Sequence, residues 1–407
     1  MSLGAELTVV LAALAFVWPF VGAVLVAALA APRSREYAIW VAGIGCALAL
    51  AVFLFPVSEA AAAGWDDDPV QRAGRVMLAF GLLLMVLESP VLPDRLLRSL
   101  PHVSTALAGL ACVAPDPAVG LGILVIELGW GVFVFTRPAG QAMTGWSLIR
   151  TGAVGVFLVL CGLTLPQDTL VAGLTMACGL VVLTGLAPFG QFGREDNDVF
   201  LLLPLAATTL LLAMRLRVHG GGAFAMALVA AGLLSVWLTG CVGRLSGRRM
   251  FRTFPLALGF MAVGIQADVA ALLFLCGWCL AGGGRLDRGW AVRALACFPP
   301  GAPFVGCLLL LSMLPDWSWS IAVLTVAGLL LVVVRGLPER VPLHLVWPDE
   351  AAGQLACVVL AGLGFLVPLA MMLGAFLCRL HPSSARRRRH RPHGAIGWMS
   401  WHCATSC

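Results

Sequence analysis

The stretch Ala118 to Phe135, AVGLGILVIELGWGVFVF, carries a single charge, Glu127, near its middle. The run is long enough, as a helix, to cross the roughly 30 Å hydrocarbon core of a bilayer. A carboxylate at that depth costs about 2.5–3.5 kcal/mol on the insertion scale unless it is paired, hydrated or protonated. Its presence therefore needs a reason. One common partner is missing, because all 26 basic residues are arginine and the chain has no lysine.

The rest of the chain repeats the apolar pattern. Of 407 residues, 60% are hydrophobic and 11% charged, and the mean hydropathy is +0.97. This composition excludes a large soluble core. Backbone polar groups cannot be left bare in lipid, so the spans are expected to be helices. The fold class is thus an all-α integral membrane protein with roughly thirteen spans, at 6–31, 37–57, 75–92, 102–115, 118–136, 146–165, 168–189, 199–217, 223–243, 255–282, 291–314, 317–335 and 354–378. The first span has no basic segment before it and reads as a retained helix rather than a signal peptide. The abundant glycine suits close helix packing in a bilayer. The thirteen cysteines are scattered through apolar helices and suggest no disulfide framework.

Two regions divide the chain: a polytopic domain over 1–381 and a basic tail, expected to be disordered, over 382–407. Most of the net charge of +6 lies in that tail, so it does not point to nucleic acid. Arginine placement suggests an orientation. Arg33 and Arg35, Arg95 and Arg98, the basic loop Arg244, Arg248, Arg249 and Arg252, and Arg386 to Arg389 fall on one side if thirteen spans are right. That side would be the cytoplasm of a cell whose inner membrane holds the chain, with the N-terminus outside and the C-terminus inside. Arg215, Arg217, Arg285 and Arg288 are exceptions.

Four features could carry chemistry. Glu127 is either a hydrogen-bonded structural acid or a proton-relay site, since a carboxyl removed from water prefers its neutral form and can exchange protons near neutral pH. Asp268, in Gln266-Ala267-Asp268 near the centre of the 255–282 span, is the second deeply placed acid of the chain. If that span is two short segments meeting there, Asp268 is only a boundary residue. Helix breaks are expected near Pro188 and at Pro299-Pro300-Gly301-Ala302-Pro303. Paired interruptions of this kind often mark an ion or substrate path. Cys276-Gly-Trp-Cys279 copies a redox spacing, but inside an apolar span it reads as packing. No phosphate loop, HExxH motif or metal-spaced Cys/His set is present, so no cofactor or metal is expected.

Four segments in order resemble the antiporter-like, proton-translocating membrane subunits of respiratory complex I, energy-converting hydrogenases and cation/proton antiporter complexes. DPAVGLGILVIELGWGVFVF is similar to the helix with the buried glutamate, which falls on Glu127. QAMTGWSLIRTGAVGVFLVLCGL is similar to the helix after it. LSVWLTGCVGRLSGRRMFRTFPLALGFM resembles a basic loop leading into a glycine-bearing helix, and CFPPGAPFVGCLLLL the broken helix of the second half. The resemblance implies other membrane and peripheral subunits of a redox complex as partners, with protons and the lipid bilayer. It implies at most a non-catalytic subunit of an NADH-quinone oxidoreductase or hydrogenase. The departures matter equally. The family's central lysine would fall near Leu183–Thr184, its Pro-Leu-His-x-Trp stretch reads Pro188 to Phe192 without histidine, and its later acidic or lysine position is Cys307. Arginine does not deprotonate, so the usual glutamate–lysine switch is not available. The chain would either conduct protons by another relay, with Glu127 and Asp268, or act as a degenerate scaffold. A stand-alone secondary transporter is the alternative reading.

Overall fold

The computed structural model describes residues 3–29, 31–55, 68–88, 94–136, 142–166, 169–186, 199–241, 253–281, 291, 294–299, 301–336 and 351–380. Among them the secondary structure is entirely helical. The helices are α1 (Leu3–Ala28), α2 (Ala31–Leu54), α3 (Pro69–Glu88), α4 (Arg95–Val113), α5 (Pro117–Thr136), α6 (Ala142–Thr164), α7 (Leu170–Thr184) and α8 (Val199–Cys241). Then come α9 (Phe254–Gly264), α10 (Asp268–Ala281), α11 (Ala302–Trp317), α12 (Trp319–Leu331, running into a π turn at Val332–Gly336) and α13 (Ala351–Leu380). Seven are long and apolar enough to cross a membrane by length and composition, and six shorter ones are apolar. The protein is a multi-pass membrane protein.

Several helices start earlier than hydropathy suggests, and local chemistry explains it. α3 begins at Pro69, where a missing N–H costs nothing, and Asp68 Oδ1 accepts from Val70 N at 3.3 Å. α4 begins after Asp94, whose Oδ1 accepts from Leu96 N at 2.8 Å. The span read as 102–115 is therefore a full helix from Arg95, with Pro101 inside it. Hydropathy discounts charged first turns; capping chemistry does not.

Neighbouring helices run antiparallel. Trp18 Nε1 donates to Val41 O, and Arg98 Nη1 to Leu29 O, so α1 runs against both α2 and α4. Arg35 Nη2 donates to Leu87 O at 3.2 Å, tying the start of α2 to the end of α3. These guanidiniums satisfy carbonyls that a helix C-terminus leaves without partners. In α6 and α7, Gly155 and Gly179 lie backbone to backbone; a Cβ on either would collide with the other's carbonyl oxygen.

α8 is two helical limbs that meet at Gly221, where φ is 58° and ψ is −160° and the chain reverses. Packing against α9 demonstrates the reversal. Gly259 of α9 faces Leu210, while Gly232 meets Ala257 and Met261 on either side of it. Residues 210 and 232 thus lie at one height, whereas a straight helix would separate them by about 33 Å. The two limbs match the separate spans read as 199–217 and 223–243.

The span read as 255–282 is two helices, as its alternative reading allowed. α9 ends in a Schellman-type turn: Gln266 N bonds Val263 O at 3.1 Å and Ala267 N bonds Ala262 O at 2.8 Å. Gln266 takes the left-handed conformation there, with φ 63°. Phe274 of α10 then returns beside Gly259, so α9 and α10 form a hairpin. The core gathers around α4, both limbs of α8, α9 and α10, with Phe224, Phe254, Phe260 and Phe274 fully buried.

Candidate functional site

α5 starts at Pro117, with Asp116 Oδ1 accepting from Ala118 N at 2.8 Å. That start puts Glu127 halfway along the helix. Glu127 is completely buried, and neither carboxyl oxygen has a hydrogen-bond partner among the described residues. One turn further, the Trp130 indole N–H is also buried without a partner. Leu128 beside it packs against Gly152 of α6. Cys112 of α4 lies within electrostatic reach of Glu127, and also of Arg75 of α3 and Arg215 of α8. An unpartnered buried carboxyl is costly, by about 1–3 kcal/mol or more, and is rarely left without a task or an ordered water.

The place that would hold the family's lysine offers no substitute. Thr184 is fully buried and gives its hydroxyl to Leu180 O at 2.8 Å, within its own helix. Gly185 follows in the left-handed conformation and caps α7. Pro188 lies outside the described residues, as do Pro300 and the basic loop with Arg244, Arg248, Arg249 and Arg252.

Asp268 is placed differently. It opens α10 at the end of the hairpin, where Arg217 of α8 grips it through two contacts of 2.6 and 3.2 Å. The side chains of Arg217 and Asp268 are 15% and 34% exposed. Asp268 is therefore a boundary residue in an ion pair and does not meet Glu127. Sequence reading missed Arg217 as its partner, since 51 residues separate them and only the reversals at Gly221 and Gln266 bring them together.

The break before α11 is present. Cys297 has a positive φ of 57°, Gly301 N bonds Phe298 O at 3.2 Å, and Gly301 caps α11 with Pro303 in its first turn. Pro299 is exposed at the turn, and Pro303 packs on Gly277 of α10, where a side chain would collide with its ring. Cys307, where the resemblance would place a later relay group, is buried, and the Cys297 thiol donates to Leu295 O at 3.8 Å. Cys276 and Cys279 are buried free thiols. Among the described residues no group of His, Cys, Asp and Glu is arranged to hold a metal ion.

No family model matches the sequence, and no curated protein matches it. The fold does match. A chain of respiratory complex I from Thermus thermophilus with bound aureothin superimposes with a TM-score of 0.67 and 19% identity, covering 88% of this chain and 98% of that one. A chain of respiratory complex I from Thermus thermophilus with bound NADH gives 0.60 and 15%, covering 86% and 94%. At these identities the likeness is one of fold, and it extends over nearly the whole of both chains.

Proposed function

We propose that this chain is a membrane subunit of a redox-linked, proton-translocating complex of the respiratory complex I kind, and that Glu127 is its proton-carrying group. The observation that carries this reading is Glu127 itself: buried, mid-helix and without a hydrogen-bond partner among the described residues, in a fold shared with a chain of complex I. Such a group needs water or a moving proton to justify its burial. No lysine takes part, so the relay would run through bound water with the hydroxyl and thiol groups near it. Electron transfer and quinone chemistry would belong to partner subunits, and this chain would hold no cofactor of its own.

Glu127→Gln tests the reading. It keeps the shape and removes the proton. Proton movement by the assembled complex should be abolished while assembly is kept. Unchanged flux with normal assembly would leave the chain as a scaffold for subunits that do the pumping. The breaks at Gln266 and at Pro299 to Pro303 favour a second reading, a stand-alone secondary transporter. Recovery of the tagged chain alone from native membrane would support that one.

The orientation belongs to the same proposal. Arg35 and Arg98 lie at one end of the bundle and Arg215 and Arg217 at the other. The arginine-rich end would face the cytoplasm of an inner membrane, and the N-terminus the outside. The α9–α10 hairpin adds one crossing to thirteen. If α13 also crosses, the C-terminus lies outside with the N-terminus, and not in the cytoplasm as thirteen spans imply.

A further inference from the structure

His102 is a buried titratable group that the Glu127 relay does not use. It lies in α4, has no exposed surface, and neither ring nitrogen has a hydrogen-bond partner among the described residues. A neutral imidazole offers one donor and one acceptor, and buried groups of this kind are rarely left without partners. The ring packs where α1 and α2 meet: a Cβ on Gly22 would collide with Val41 and would lie 3.5 Å from His102 Nδ1. A cavity of about 60 Å3 among α1, α2, α3 and α4 begins about one turn from there, with Pro19 of α1, Ala42 of α2, and Thr105 and Ala106 of α4 in its wall. Thr105, three residues on from His102 and so on the same face of α4, is buried, and its hydroxyl also has no hydrogen-bond partner among the described residues. Other buried threonines behave differently. Thr184, Thr208, Thr209 and Thr239 each give the hydroxyl to a carbonyl four residues back in their own helix. Thr105 does not.

We propose that this cavity holds a cluster of water that hydrogen-bonds the Thr105 hydroxyl and ends on the imidazole of His102. Water is the occupant that fits both size and chemistry. At about 10–15 Å3 for each, the space has room for roughly four to six waters. A water molecule gives and accepts hydrogen bonds, which is what a hydroxyl and a neutral imidazole both lack here. An apolar occupant would leave them unmatched, and a nucleotide or sugar would not fit. Arg72 and Arg75, in the first two turns of α3, also line the cavity and have interactions of their own. Their position carries the cavity from His102 toward the end of the bundle where α3 begins. Water at the ring has a chemical consequence. One ring nitrogen takes a proton from a water as the other releases its own, so the imidazole exchanges protons with solvent and is neutral again afterwards. No lasting charge is needed on a ring that has Arg98 one turn earlier on its own helix. The hydration of His102 does not rest on proton carriage by Glu127.

The test uses the full chain, purified gently from its native membrane and exposed to millisecond X-ray pulses, which turn bound water into hydroxyl radicals that oxidise the side chains beside it. Mass spectrometry then reads oxidation residue by residue. His102 should be oxidised about tenfold or more faster than Phe224 and Phe260, which are equally buried. Gly109→Leu places a side chain in the cavity; a Cβ there meets no atom within 4 Å, so this variant should fold. Thr105→Val removes the hydroxyl at nearly constant volume, and Thr105→Ser restores it. Oxidation of His102 should fall about tenfold in the first variant, fall several-fold in the second and recover in the third. In Glu127→Gln it should be unchanged. A native His102 no more reactive than Phe224 overturns the proposal. So does equal reactivity in the native chain, Gly109→Leu and Thr105→Val, since water would then reach the ring by another route. Loss of His102 oxidation in Glu127→Gln would place that route at Glu127 and overturn it too.

Discussion

Glu127 and Asp268 are both carboxylates in apolar sequence, and the protein treats them in opposite ways. Asp268 has its charge matched by a guanidinium at a helix N-terminus, where a negative charge is favoured. Asp268→Asn should destabilise the purified chain by about 1–2 kcal/mol, because Arg217 then loses a bidentate partner in a partly buried place. Adding Arg217→Gln should recover part of that loss, and thermal unfolding of the single and double variants would show it. Proton flux should be unaffected, since Asp268 sits at a helix boundary; a clear loss of flux would contradict that. Glu127 has no such partner among the described residues. Glu127→Met, similar in volume and apolar, should raise thermal stability by about 1–3 kcal/mol while removing any proton carriage. A destabilised Glu127→Met chain would mean that the carboxyl is a structural hydrogen-bonding group.

At the level of elements, two reversals make the central bundle. Gly221 occupies a backbone region that is essentially closed to other residues. Gly221→Ala should cost about 1–3 kcal/mol and lower the yield of folded chain. Gln266 makes the other reversal without being glycine and carries the strain of a left-handed side-chain residue. Gln266→Gly should therefore stabilise the chain by about 0.5–1 kcal/mol, less than the full strain because glycine is freer when unfolded. Thermal unfolding of both variants checks the pair. Hydropathy found the helices on each side of these corners but not the second corner, because α9 and α10 are equally apolar and their join contains only a short polar break. Gln266-Ala-Asp268 was the available signal, and it is ambiguous between a kink and a turn.

For the whole molecule, the number of crossings decides which face each end occupies. A thiol-reactive probe added from outside should label cysteine tags placed at both ends of the chain, if α13 crosses as the fourteenth traversal. Labelling of the N-terminal tag alone would restore the orientation that thirteen spans imply. The basic tail makes this a sharp test, since arginines such as Arg386 to Arg389 ordinarily stay in the cytoplasm.

The sequence alone determined that the chain is a helical membrane protein, that Glu127 lies midway along an apolar run, and that the chain contains no lysine. These follow from local quantities: apolar run length, the position of a charge within a run, and residue identity. Only the tertiary structure decided that 255–282 is a hairpin, that Asp268 belongs to Arg217, that Glu127 has no hydrogen-bond partner among the described residues, and that two arginines line a cavity behind α1 and α2. Each of those depends on which helices become neighbours. Neighbours in a bilayer are chosen by close packing of small residues and by the few polar groups that find one another across long sequence separations, and hydropathy is the same for every arrangement.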